Sequence, residues 1–409
     1  MLDKSVFMMK IPSYFKHAQQ LARDSYCLLV TIVTLCSIIG CAESPVSYST
    51  IECDFNKSAD INASMMISDV KIMSLQDDST YLGNICKMET LDSLIYLMDK
   101  DQNSLHIFSK NGKYINSISN QGHGTNEYLK LSDFCIDRGN KTINILSRLN
   151  KKVFVYDRLG ENLIEIKTLP KQFCKIEKIK DGYVGYMGNF SEDINLPYNY
   201  WLLDDNFDVI GHFGEINPNI ESRVSLNFTP FSLYDDNLFV ISEFSREVMC
   251  LRDSDNHATT IYRYDFGEWN LPSLTAKDFA NDKKKFEVKN KYITNPIRFQ
   301  ESDKYIMSII IHQGQYHLIK YEKETQMTEV FPLGSYTGKY LLPFGRVVRM
   351  TETEICTVVD ADNIHDIWKG YNDFNNFESD YPLQVRNLRQ DIKSINPEGN
   401  PFLVIYKIQ

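Results

Sequence analysis

Two strand-like segments and the turn between them recur at a fixed distance in this sequence. Residues 94–99 (LIYLMD) are matched by residues 142–147 (TINILS), and residues 106–113 (HIFSKNGK) by residues 154–161 (FVYDRLGE). Both offsets are 48 residues, so strands and turn return together without slippage. The turn has a chemical cause. Asn and Gly tolerate positive φ, which makes Asn111-Gly112 a strong hairpin signal, and Gly160 fills the same role in the second copy. The unit returns more loosely at 182–188, 198–204 and 209–214, then at 237–244, 247–252 and 259–264, then at 305–312, 316–321 and 329–333. A sixth copy starts at 346–349 and 354–359. A period of roughly 40–50 residues holding about four short strands is one blade of a β-propeller. One such sheet cannot bury both faces alone, so blades must lean on one another around an axis. The 24 Tyr, 23 Phe and 3 Trp suit the half-buried surface of a pleated sheet.

A ring must close. The sixth copy is short of strands near its own position, but residues 401–408 at the C-terminus and 67–75 near the start are unused strands. The expectation is an all-β fold, a six-bladed β-propeller of four-stranded antiparallel blades, with those two segments side by side in the last blade. Pairing them removes an exposed edge that would otherwise template aggregation. Two inserts read as short helices. Residues 273–292 are rich in Lys and Ala, with Leu274, Phe279 and Phe286 apolar. Residues 380–395 offer Asp380 as N-cap and Pro382 in the first turn, with apolar Leu383, Leu388, Ile392 and Ile395.

The first forty residues carry a different signal. Lys4, Lys10, Lys16 and Arg23 outnumber Asp3 and Asp24, and the uncharged, mostly apolar run 27–40 follows. Its fourteen residues make a helix of about 21 Å, short of a hydrocarbon core of about 30 Å, which fits the hydrophobic region of a signal peptide. The ending Ile38-Ile39-Gly40-Cys41 resembles a bacterial lipobox, in which the Cys is acylated and becomes the new N-terminus. Ile38 departs from the usual Leu. This implies a signal peptide over 1–40, lipidation at Cys41, a polar tether over 41–66 and the propeller over 67–409. Acyl chains on Cys41 would anchor the protein without spanning the bilayer. Ala42 in place of Asp implies, by analogy, the outer membrane.

The stretches 81–85 (YLGNI), 94–99, 108–113, 121–128 (QGHGTNEY) and 400–407 (NPFLVIYK) together resemble the six-bladed, NHL-like β-propeller lipoproteins of gut bacteria. The resemblance covers roughly 67–409. Thr125 and Asn126 depart from the Pro and Gly that usually precede the Glu-Tyr pair. The resemblance implies architecture and an envelope location, and no particular chemistry.

A formal net charge of −10 and the lack of a basic stripe argue against nucleic acid as a partner. Gly122-His123-Gly124 has strands on both sides rather than a following helix, so it reads as an inter-blade turn and not a phosphate loop. Of nine cysteines, six lie beyond Cys41, at 53, 86, 135, 174, 250 and 356, without C-x-x-C or zinc-ligand spacing. An envelope location permits disulfides, and the spacing leaves their connectivity open. Cys86, Cys135 and Cys174 each fall just before a blade's second strand. If all three faced the axis they would form a soft-metal site; the competing reading is that they pack between sheets as small hydrophobes. His312 and His317 flank the turn 313–315 and read as solvent-facing turn residues. Lys283-Lys284-Lys285 reads as the wet face of a helix. The aromatic-acidic loops 193–201 and 368–381, with Trp201, Trp368, Tyr371 and Phe374, suit sugars or peptides, or else pack an insert onto the ring. No cofactor is expected. The functional expectation is a membrane-anchored binding or scaffolding module whose partner is a glycan, a peptide or an envelope protein. The alternative is a metal-dependent lyase or hydrolase with its site in the central channel.

Overall fold

The computed structural model describes residues 48–55, 67–76, 80–193, 195–218, 229–252, 257–273, 278, 281, 287–288, 290–333, 344–364, 388 and 391–408. The strands of 67–408 form six sheets, each with four strands from this region in antiparallel order. Blade 1 holds Ile85–Leu91, Leu94–Asp99, Ser104–Ser109 and Tyr114–Ile118. Blade 2 holds Asp133–Asp137, Thr142–Ser147, Lys152–Asp157 and Leu163–Thr168. Blade 3 holds Lys175–Ile179, Gly182–Tyr186, Tyr198–Leu203 and Val209–Glu215. Blade 4 holds Phe231–Tyr234, Asn237–Ile241, Glu247–Leu251 and Thr259–Asp265, and blade 5 holds Arg298–Glu301, Tyr305–His312, Gln315–Glu322 and Thr328–Leu333. Blade 6 takes Arg346–Met350, Glu354–Val359 and Phe402–Ile408 from the C-terminal side and Ile67–Met73 as its fourth strand. The 48-residue repeat is therefore the second and third strands of blades 1 and 2.

The second strands explain why the ring forms. All six residues of Leu94–Asp99 are buried, so both phases of the two-residue alternation are apolar and both faces need cover. Leu94, Tyr96 and Met98 pack toward blade 2, while Ile95 and Leu97 pack toward blade 6. The hydrophobic core is accordingly six separate clusters, one between each pair of neighbouring blades, with ten to twenty buried side chains apiece. Buried tyrosines add a polar pin across these interfaces. Tyr96 donates its hydroxyl to Arg158 O at 2.9 Å, Tyr264 pairs with Ser308, and Tyr186 accepts from Glu243 N at 3.3 Å.

Closure occurs where the sequence implies. Ile67–Met73 runs antiparallel to Phe402–Ile408, with Val70 opposite Tyr406 and Ile72 opposite Val404. Asn400, just before that last strand, accepts from Leu82 N at 2.8 Å and donates to Gln76 O and Thr80 O at 3.0 and 2.8 Å. One buried amide thus ties the C-terminal strand to the chain entering blade 1.

Two expectations need correction. Part of the segment read as tether, Ser49–Glu52, is a strand pairing in parallel with Thr259–Asp265, so blade 4 has five strands. Ile51 is fully buried there, and Phe55 sits against Phe266, His312 and His317. Second, Gly112 takes positive φ, at +79°, whereas Asn111 does not. Its amide bonds Ser109 O, giving a type I turn with a glycine bulge rather than a mirror-image turn. The helical inserts lie mostly outside the described residues. Among the residues described there, 287, 288, 290 and 291 are helical and Val288 is buried, and Leu388, Ile392 and Ile395 join the cluster between blades 5 and 6.

Gly112 is also a point of close approach. Its carbonyl accepts from Gln76 N at 2.9 Å, and a Cβ built on it would lie 2.0 Å from Ser74 O. That neighbour is backbone and cannot rotate aside. Gly112→Ala is expected to lower stability by about 2–4 kcal/mol, from the disfavoured φ and the clash together. Urea unfolding of the two proteins checks this; a difference below about 0.5 kcal/mol would show that the hairpin does not clamp the entering strand.

Candidate functional site

The first strand of every blade is an edge strand. Residues of all six line one axial cavity of about 690 Å³, which opens among the turns joining first and second strands. Edge strands carry unpaired backbone N–H and C=O groups, and a dry axis would leave them unsatisfied. Polar side chains from one blade supply partners to the next. Lys87 of blade 1 donates to Phe134 O of blade 2 at 2.6 Å, and Asp133 of blade 2 accepts from Ile176 N of blade 3 at 3.0 Å. Ser232 of blade 4 bonds Gln300 of blade 5 at 3.3 Å. Arg298 of blade 5 donates to Val347 O of blade 6 at 2.8 Å, and Arg346 of blade 6 donates to Asn84 beside blade 1. Between blades 3 and 4 the corresponding bond lies farther out, from Asn189 to Glu243 O at 3.1 Å.

Charge is divided unevenly around this axis. On blades 1 to 3, Asp133 is fully buried between Lys87 at 3.2 Å and Lys175 at 3.8 Å, and Glu177 lies 3.9 Å from Lys87. Burial works against the charge on Lys87, but Asp133 and then Glu177 outweigh it and hold its pKa above the usual lysine value. Glu177 behaves oppositely. Burial, with Glu89 and Asp133 adding repulsion, pushes its carboxyl up to about 8, only partly offset by Lys87. On blades 5 and 6, Arg298 is 7% exposed, and burial pushes it down to about 10. It donates to Ile297 O and Val347 O, both at 2.8 Å. Arg298 and Arg349 both line the cavity, and among the described residues neither has a carboxylate within 4.0 Å. At the mouth, Arg138 pairs with Glu89 at 3.6 Å, Lys141 with Asp92 at 3.2 Å and Lys178 with Asp205 at 3.0 Å. Asp235 and Asp236 form a two-residue turn there, both at positive φ.

The residues singled out in the sequence lie elsewhere. Cys135 is fully buried between blades 2 and 3, Cys174 is buried between blades 3 and 4, and Cys86 is half-buried beside the cluster of blades 1 and 2. The Cys86 and Cys174 thiols donate to Met98 O at 3.6 Å and Met187 O at 3.2 Å. Burial raises the pKa of all three, as for thiols packed among apolar side chains. The three do not converge: among the described residues no three His, Cys, Asp or Glu side chains are placed to hold a metal. The six described cysteines are all free thiols.

Trp201 is 3% exposed within the cluster of blades 2 and 3. Its indole donates to Tyr198 O at 3.0 Å, and Lys171 lies 4.2 Å over its ring. Trp368, Tyr371 and Phe374 lie outside the described residues, as does Lys283-Lys284-Lys285. His312 corrects the expectation of a solvent-facing pair, because it is buried among Phe55, Trp269 and His317. Gly122-His123-Gly124 closes on its own neighbour: Gly124 N donates to Glu127 at 2.8 Å. Tyr128, fully buried, then bonds Asn103 O and Ile118 O. The Glu-Tyr pair is thus a structural latch for an inter-blade turn.

One set imitates a catalytic triad. Ser104 Oγ lies 2.9 Å from His106 Nε2, and Asp99 Oδ2 lies 3.9 Å from the same nitrogen. A triad needs its acid on the other nitrogen, but Nδ1 is buried without a partner. Asp99 is occupied instead by the amides of Gly83, Asn84, Asp101 and Gln102. This is a turn network.

Lys87, Glu177 and Arg298 were missed by sequence reasoning. The available signal was the recurrence of charged residues in the first strands of three repeats, KMETL, KIEKI and RFQE, beside second strands that are apolar.

A ring of six stacked sheets around a charged axial channel defines a six-bladed β-propeller. The chain belongs to the family described as Domain of unknown function (DUF4934), whose model matches residues 48–407. Among solved structures, a protein from Bacteroides fragilis NCTC 9343, provisionally described as exported, is 17% identical, covers 89% of this chain and 100% of its own, and superposes with a TM-score of 0.68. A member of the DUF4221 family from Bacteroides vulgatus is 10% identical over 83% of this chain and 98% of its own, with a TM-score of 0.48. The first likeness is one of fold. No curated protein matches the sequence.

An acid whose pKa is higher folded than unfolded holds its proton more tightly when folded. Glu177 therefore costs stability as pH rises from about 4.5 to about 8, and Glu243, pushed up to about 7 by burial, acts in the same direction. Glu177→Gln is expected to flatten the fall of Tm between pH 5 and 8 and to be more stable than the parent at pH 8, by about 1–3 kcal/mol. Parallel Tm–pH curves for the two proteins would show that Glu177 titrates normally.

Proposed function

We propose that this protein is a lipid-anchored module of the bacterial envelope that binds its partner at the axial channel and the face around its mouth. The observation that carries this reading is the channel itself. It is large enough for a small molecule, is lined from all six blades, and keeps charge on Arg298 that the stitching between blades does not neutralise. The lack of a metal-ligand group or a correctly wired triad among the described residues favours recognition over turnover. The mostly apolar run ending at Cys41 supports export and lipidation, with the outer membrane as destination. The partner classes remain a glycan, a peptide or an envelope protein.

One observation favours an enzyme instead. A carboxyl held near pKa 8 beside a lysine is what a general acid needs at neutral pH, so Glu177 would be its proton donor in a lyase or hydrolase.

Two measurements test the proposal. Cys41→Ser, expressed in a Gram-negative host, is expected to move the protein from the membrane fraction to the soluble fraction and to lose its acyl mass; unchanged fractionation and mass would refute the anchor. The full chain in detergent is then mixed with pools of glycans, peptides and small polar molecules, and followed by thermal shift and by NMR of the pool. Ligands that raise Tm and are recovered unchanged support a binding module, whereas Glu177-dependent consumption of a compound would establish the enzyme.

A further inference from the structure

The channel is one-sided in its unpaired charge. On blades 1 to 3 the cations are matched: Lys87 and Lys175 share Asp133, and Arg138 takes Glu89. On blades 5 and 6, Arg298 and Arg349 face the same cavity with no carboxylate within 4.0 Å among the described residues. Arg298 is the sharper case because its residue is 93% buried, being 7% exposed. A buried charge without a counter-charge is costly to keep, by several kcal/mol. A neutral Gln could donate to the same strand at lower cost.

Its geometry suits a ligand. Nη1 donates to Ile297 O and Nη2 to Val347 O. Two of the five N–H groups are thereby fixed on backbone, which locks the plane of the guanidinium. Nη1 and Nη2 each keep one further N–H, and Nε keeps its own. Arg298 lines the cavity, and its Nε, unlike Arg346 Nε, is not a buried donor without a partner. A planar fork held rigid by carbonyls is preorganised for an anion with two oxygens.

We propose that the axial cavity binds an organic carboxylate, with Arg298 as its principal charge partner and Arg349 as the second. This deepens the binding reading above and rests on it. The far wall, where Glu89, Asp137 and Glu177 stand, offers a phosphate dianion no free lysine or arginine from its paired set, since Lys87 and Lys175 are taken by Asp133 and Arg138 by Glu89. That wall places carboxyl groups opposite the guanidinium wall. It suits a ligand that is anionic at one end and hydroxylated or amine-bearing at the other. The cavity of about 690 Å³ lies within the range that holds small molecules, roughly 300–1,000 Å³.

The test is calorimetric titration of the full chain in detergent at millimolar probe concentrations. The probes are glycolate, N-acetylglycine, gluconate and glutamate, each paired with its carboxamide, and inorganic phosphate. At least one acid is expected to bind tenfold or more tightly than its amide, phosphate is expected not to displace it, and Arg298→Gln is expected to weaken it tenfold or more. Equal binding of acid and amide, displacement by phosphate, or an unaffected Arg298→Gln each overturns the proposal, as does failure of every acid to bind. Should Arg298→Gln not fold, Arg349→Gln leaves both backbone bonds of Arg298 intact and is expected to weaken the acid at least threefold; no change there overturns the proposal. If no acid binds while a glycan or neutral peptide raises Tm, this inference fails and the binding reading stands. If nothing of any class binds, both fail.

Discussion

The structure depends on one constraint: a four-stranded sheet whose middle strands are apolar on both faces has nowhere to hide them except against another such sheet. Leu94–Asp99 shows this most plainly, since every residue in it is buried and alternate residues serve different neighbours. Each fully buried large apolar side chain contributes about 1.5–3 kcal/mol, against about 1 kcal/mol for a hydrogen bond. With ten or more such side chains between each pair of blades, the clusters dominate and the inter-blade hydrogen bonds set register. No blade could keep its faces dry if one neighbour were removed. Closure of the ring by Ile67–Met73 and Asn400 is therefore a condition of stability for all six.

The inner edges pose the opposite problem. The ladder of each sheet stops at its first strand, and the backbone groups left there face the axis. The side chains that reach across from the neighbouring blade, Lys87, Asp133, Gln300, Arg298 and Arg346, answer that need in turn around the ring. Such residues are charged or amidic because only long polar side chains span from one edge to the next carbonyl or amide. The polarity of the channel has a structural origin first.

This division explains what the sequence made legible. Apolar alternation and turn glycines are local, so the repeat at 94–113 and 142–161, the turns at Gly112 and Gly160 and the unused strands at both ends could be read directly. Ser49–Glu52 could not, because a short polar strand laid in parallel on an outer edge has no partner nearby in the chain. His312 looked like an exposed turn residue for a similar reason: its cover, Phe55, comes from more than 250 residues earlier. The channel residues were hidden differently. A charge in a strand reads as an outward-facing position, and only stacking reveals that Lys87 and Arg298 line the axis. The cysteines misled in the reverse sense, since position before a second strand fixes neither which face a thiol takes nor whether three of them meet.

What the channel can recognise is whatever charge the stitching leaves over. Lys87 is consumed by Asp133 and Phe134 O, and Asp133 by two lysines and Ile176 N, so that side of the axis is close to neutral within itself. Glu177 is the residue squeezed by this arrangement: too many acids share too few cations, and it keeps its proton instead. Arg298 stitches blade 5 to blade 6 through neutral carbonyls, which satisfies its geometry and leaves its charge intact. A guanidinium can do both at once because its donors outnumber the carbonyls it needs, whereas an ammonium sunk into an ion pair cannot. A propeller built this way can keep its ring fixed while its axial specificity changes, provided each replacement still reaches the neighbouring strand's backbone.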